Sequence, residues 1–127
     1  MATITGRLTL SGTGTTSDVL SVIKDKALAV TSPTVQVGTV VLTTGWATTI
    51  PLLNGTLNTD DTFLYVSNVS TGTETIELGS TGADDQDVLR LKVGEFSFLP
   101  LKALANIQFK GSLATAILEY GYWTRSS

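Results

Sequence analysis

The chain has 127 residues, of which 42% are hydrophobic and only 15% charged, with eight Lys or Arg against eleven Asp or Glu and a formal net charge of −3. It contains neither cysteine nor histidine, which removes disulfides, ordinary zinc sites, thiol nucleophiles, Ser-His-Asp triads and histidine general bases. Its basic residues stand singly along the sequence, so no run exists to neutralise a phosphate backbone and nucleic-acid binding is not expected.

The length is that of one domain, enough to bury roughly two-thirds of the unfolded surface. Thr is the commonest residue and Gly is frequent, a mix that suits short strands joined by turns rather than helices or disorder. Mean hydropathy is positive, at +0.25, which points to apolar surface buried against another subunit. No apolar run approaches a membrane span. The opening Met1-Ala2-Thr3-Ile4-Thr5 lacks the basic and apolar regions of a signal peptide, so neither insertion nor secretion is expected.

Thr3–Leu10 alternates Ile4, Leu8 and Leu10 against Thr3, Thr5, Arg7 and Thr9, the pattern of a half-buried strand. Ser11–Thr16 follows as a flexible loop. Asp18–Val30 admits two readings. Ser17 could cap a helix with Val19, Val22, Ile23, Lys26 and Ala27 on one face. The favoured reading is two strands, Val19–Ile23 and Ala27–Thr31, around a turn at Lys24-Asp25-Lys26, because β-branched residues lose rotamer freedom in a helix.

Pro33 breaks the chain, and Val35–Leu42 and Trp46–Pro51 are expected strands separated by Thr43-Thr44-Gly45. Asn54-Gly55 is the strongest two-residue turn signal present. Next, Phe63–Val66 and Glu74–Leu78 predict a hairpin closed by Ser70-Thr71-Gly72. A three-residue loop with Gly72 left-handed would oppose Val66 to Ile76 and Leu64 to Leu78, leaving Tyr65 beside Glu77 and Ser67 beside Thr75 on the other face. Ser80–Asp85 is a polar loop. Strands are expected over Asp87–Val93, Glu95–Leu99, Asn106–Lys110 and Ala114–Trp123, with Gly94 and Gly111-Ser112 as turns and Pro100–Ala105 as a connector. Strands at this spacing predict an all-β fold, an antiparallel β-sandwich of jelly-roll type. It would form a single domain over residues 1–127, with 1–17 as an N-terminal strand and flexible loop.

Little chemistry remains. Gly12-Thr13-Gly14 is a fragment of a phosphate-binding pattern and fits a mobile loop better. Asp60-Asp61 and Asp84-Asp85-Gln86-Asp87 could offer oxygen ligands to calcium, but neither follows an EF-hand pattern and both suit solvated turns. Asn68-Val69-Ser70 matches a glycosylation pattern that needs a secretory context. No cofactor site and no catalytic residues emerge.

The aromatic residues carry more. Phe63 and Tyr65 fall on the hairpin face opposite its aliphatic side, while Tyr120 and Tyr122 share one face of the last strand and Trp123 lies on the other. Phe63, Tyr65, Tyr122 and Trp123 are the candidate partner-contact residues, since Tyr and Trp supply large rigid contact area. Core or sheet-edge packing is the competing reading. Sugar stacking by Trp46, Tyr122 or Trp123 lacks an accompanying polar cluster.

The order of motifs in the second half is distinctive: Leu64-Tyr65-Val66-Ser67-Asn68, Ile76-Glu77-Leu78-Gly79, Leu91-Lys92-Val93-Gly94-Glu95-Phe96 with Leu99-Pro100, and Ala116-Ile117-Leu118-Glu119-Tyr120. This order resembles a family of small all-β virion proteins of tailed bacteriophages, over about Thr31–Trp123. The resemblance implies a structural protein of the particle, made in the host cytoplasm and located on the capsid surface. As a decoration or cement protein it would form homotrimers and bind the major capsid protein, with no enzymatic activity. The alternative within the same resemblance is a fibre or adhesin module binding host carbohydrate, with Trp46, Asn54, Asp60 and Asp61 as candidate contacts.

Overall fold

The computed structural model describes residues 2–13, 20–30, 36–45, 62–80, 86–101 and 107–124. It is all-β, with antiparallel sheets. The chain divides into two compact units, Met1–Pro33 with Arg125–Ser127, and Thr34–Thr124.

In the first unit, β1 (Ala2–Gly12) and β2 (Leu20–Val30) form a two-stranded ribbon paired from Ala2↔Val30 to Gly12↔Leu20. Strand structure over β2 agrees with the favoured reading, but the expected turn at Lys24-Asp25-Lys26 does not occur. Those residues continue the strand and pair with Leu8, Arg7 and Gly6. The ribbon leaves all three exposed, so the charges stay in water and nothing forces a turn. Arg7 and Asp25 face each other at 3.4 Å with both side chains more than half exposed, a geometry that contributes little to stability.

The second unit holds a four-stranded sheet, in the order β3 (Gln36–Val41), β9 (Ile117–Thr124), β4 (Thr62–Asn68), β7 (Phe96–Leu101). It also holds a three-stranded sheet, β6 (Gln86–Leu91), β5 (Ile76–Ser80), β8 (Ile107–Gly111). Leu42, Leu64, Val66, Leu118, Tyr120 and Tyr122 from the first sheet and its flank form one apolar cluster with Ile76, Leu78, Leu91 and Phe109 from the second. Two sheets sharing one core is the plan of a β-sandwich.

The expected hairpin between Phe63–Val66 and Glu74–Leu78 is overturned. Strand β4 pairs with β7 on one side and β9 on the other, so neither of its edges is open to β5. Strand β5 is likewise flanked by β6 and β8. Leu64, Val66, Ile76 and Leu78 do meet, as the alternation required, but within the core between layers rather than across a ladder. Tyr65 accordingly neighbours Gly121 and Phe98 rather than Glu77, and Ser67 neighbours Glu119 and Phe96 rather than Thr75.

The connection 69–75 is fixed by Asn68, which is fully buried. Its Nδ2 donates to the carbonyls of Glu74 (2.9 Å) and Leu91 (3.0 Å), and its Oδ1 accepts from the Ser70 amide at 3.1 Å. Ser70 Oγ in turn accepts the Ile117 amide at 2.8 Å. One side chain thus satisfies backbone groups at the ends of β4, of its connection and of β6, which is how a turn is held where no ladder continues.

The turn at Gly94 forms as expected, with φ at +86°, a conformation that only glycine adopts without strain. Pro100 belongs to β7 rather than to a connector, which is tolerated because β7 is an edge strand and can spare an N–H. Gly111 has no room for a side chain, since a Cβ there would stand 2.5 Å from that of Ala116. The expected features at Trp46–Pro51, Asn54-Gly55, Asp60-Asp61 and 81–85 lie outside the described residues.

Candidate interaction face

Cross-strand partners share a sheet face, so the register of the four-stranded sheet assigns its outer surface. Leu64, Val66, Leu118, Tyr120 and Tyr122 point into the core. The alternate positions point outward: Phe63, Tyr65 and Ser67 of β4, Glu119 and Trp123 of β9, Phe96 and Phe98 of β7, and Val37 and Val41 of β3.

The four expected contact residues are therefore divided. Phe63, Tyr65 and Trp123 lie on the outer face, whereas Tyr122 is a core residue, 5% exposed. Phe63 is also only 5% exposed; its ring stacks on Phe98 with centroids 5.7 Å apart. Trp123 is half-buried, and its indole N–H is covered without finding an acceptor.

The accessible apolar surface comes mainly from residues for which the sequence reading assigned no role. Phe96 is 70% exposed, Phe98 41%, Val37 59% and Val41 60%. The signal was present as Phe96-Ser97-Phe98, two aromatics at strand spacing. It could be read only once β7 was known to be an edge whose partner face was already filled by β4.

The outer face of the three-stranded sheet is different. There Glu77 bridges Arg90 (3.0 Å) and Lys110 (3.5 Å) across both neighbouring strands. One outer surface of this unit carries a charged cluster, one carboxylate between two cations, and the other is largely apolar and aromatic. The exposed apolar side chains of the latter stand on the two edge strands, with the largely buried Phe63 and Ser67 of β4 between them, and exposed apolar surface on a sheet face is a mark of a contact site.

Within this face Tyr65 and Glu119 form a close polar pair. Tyr65 Oη donates to Glu119 Oε1 at 2.6 Å. That bond, followed by burial, raises the Tyr65 phenol above its usual 10.0, and burial raises Tyr122 likewise. A phenol whose folded value lies above its unfolded one gives its stabilisation fully below about pH 10 and loses it as pH rises through the folded value. Stability is therefore expected to fall above pH 10, and Tyr65→Phe to flatten that fall while costing about 1 kcal/mol at neutral pH. Urea unfolding of both proteins at pH 8 and pH 11 checks this; equal alkaline losses would contradict it.

Among the described residues no group of His, Cys, Asp or Glu is placed to hold a metal ion. Asp60, Asp61, Asp84 and Asp85 lie outside them, as do Trp46 and Asn54. Compared with known proteins, the chain matches no family model, no curated protein and no solved structure.

Proposed function

We propose that the chain is a structural protein of a tailed-bacteriophage virion, a capsid decoration (cement) protein. It self-associates, as a trimer in this reading, and binds the major capsid protein on the assembled head. The observation that carries the reading is the exposed aromatic and aliphatic outer face of β3-β9-β4-β7, on a unit whose other outer face is charged. A protein that binds only the assembled shell stabilises that shell by mass action, and many copies multiply a small free energy each.

The strand orders support a jelly roll, eight strands in two Greek keys, an architecture of viral capsid and lectin domains. With β3 as first strand, β3-β9-β4-β7 agrees with one of its two sheets and β8-β5-β6 with three successive strands of the other. The motif order from Leu64 to Tyr120 supports the virion assignment.

Purified protein should bind phage heads that lack it, and Tyr65→Ala, Trp123→Ala and Phe96→Asp should each lower occupancy, Phe96→Asp the most because it is the most exposed. Unchanged occupancy in all three removes this face from the contact. Binding to host cells or glycans in place of heads would favour the fibre reading.

A further inference from the structure

We infer that the β1–β2 ribbon is an exchanged arm, whose apolar face covers the outer face of the four-stranded sheet of a second copy of this chain. The inference rests on the reading of that sheet face as a contact surface and names what covers it. The ribbon pairs with no third strand among the described residues, and a two-stranded ribbon alone is marginal in water. Its two faces differ. One carries Ile4, Leu8, Leu10, Val22 and Leu28 together with Lys24 and Lys26, and Leu8 and Leu10 are each 47% exposed. The other mixes Thr3, Thr5, Thr9 and the Arg7–Asp25 pair with Ala27, Ala29 and the exposed Ile23, so it is the more polar of the two.

Charge selects a second copy as occupant. Strands β1 and β2 hold Arg7, Lys24 and Lys26 against Asp25 alone, a net +2, whereas residues 34–124 hold nine acidic and four basic residues, a net −5. A ribbon face that sets Lys24 and Lys26 among its apolar residues, opposite Leu8 and Gly6, fits an apolar face on an acidic body.

Area is consistent with exchange around a closed trimer, in which each chain gives one arm and receives one. At about 3.3 Å per residue an eleven-residue ribbon is roughly 36 Å long and about 10 Å wide, so one docked arm buries on the order of 700 Å² in total. That is below the range of stable interfaces, and two such contacts, about 1,400 Å², fall within it.

Sedimentation equilibrium of the full chain tests the arm. The expected mass is a multiple of 13.4 kDa. The double variant Leu8→Asp/Leu10→Asp and the single variant Phe96→Asp, all at exposed positions, should each weaken association at least tenfold. Mixing the two variants should restore part of it, because the arm of one fits the intact face of the other. Thr5→Asp, on the opposite ribbon face, should leave association unchanged. A monomeric wild type, insensitivity to either variant, or a mixture that stays dissociated overturns the inference. Head binding by such a monomer would keep the capsid-binding part of the proposed function and remove its self-association; an arm-dependent oligomer without affinity for heads would do the reverse.

Discussion

Asn68→Ala is expected to destabilise the second unit by about 3–5 kcal/mol, since each buried polar group left without a partner costs roughly 1–3 kcal/mol. The substitution strands the carbonyls of Glu74 and Leu91 and the amide of Ser70 together. Little relaxation can rescue them, because the same residue's backbone is bonded to Glu95 and Gly94 and the site is closed to water. Asn68→Asp sharpens the test. It keeps the shape and the acceptor but sets a carboxylate oxygen against two carbonyl oxygens, so it should be at least as damaging at pH 7. Acid should partly restore it, because a protonated carboxyl can donate one hydrogen bond. Urea unfolding at pH 7 and pH 4 reads both effects. A loss below about 1 kcal/mol for Asn68→Ala would mean that the connection 69–75 is held by other contacts.

The second large effect is expected at Phe109. Among the described residues it is the largest fully buried side chain, 1% exposed, on β8 opposite Leu78, and it joins the three-stranded sheet to the shared core. Truncation of such a ring removes its transfer free energy and leaves a cavity, together about 3–5 kcal/mol. Domains of this size are stable by only about 5–15 kcal/mol, so Phe109→Ala should unfold near physiological temperature. Phe96→Ala provides the contrast. At 70% exposure it should change stability by less than about 0.5 kcal/mol, while weakening association. Thermal unfolding of the two variants side by side separates a core phenylalanine from a contact one. Equal losses would contradict the assignment of β7 to an open face.

These two phenylalanines also mark how much of the fold is legible in the sequence. Strand positions are largely readable, because alternation such as Ile4/Leu8/Leu10 and Leu64/Val66 reports which side of a strand meets apolar surroundings. Even the outward placement of Phe63 and Tyr65 and the opposite placement of Tyr122 and Trp123 follow from period-two reasoning. Pairing does not follow. The alternation of β4 and β5 is satisfied equally by a ladder partner or by a facing layer, and nothing local to 69–75 distinguishes a hairpin turn from a corner between sheets. What decides it is remote: β9 and β7 occupy both edges of β4, and Asn68 reaches Leu91 from twenty-three positions away.

A similar limit applies at Lys24-Asp25-Lys26. A charged triplet reads as a turn when strands are assumed to be half-buried, and an exposed ribbon removes that assumption. The exposure of the β7 phenylalanines is illegible in the sequence for a related reason. Phe96 and Phe98 are placed outward by the register of β7 on β4, Phe98 beside Tyr65 and Phe96 beside Ser67, and that pairing is remote in sequence.

Imaging the virion at a resolution that traces this chain tests most directly whether it acts by adhesion through the β3-β9-β4-β7 surface. The account predicts Phe96, Phe98, Val37 and Val41 buried against neighbouring protein on the head. A chain located there with those four side chains facing solvent, or absent from the particle altogether, would contradict it.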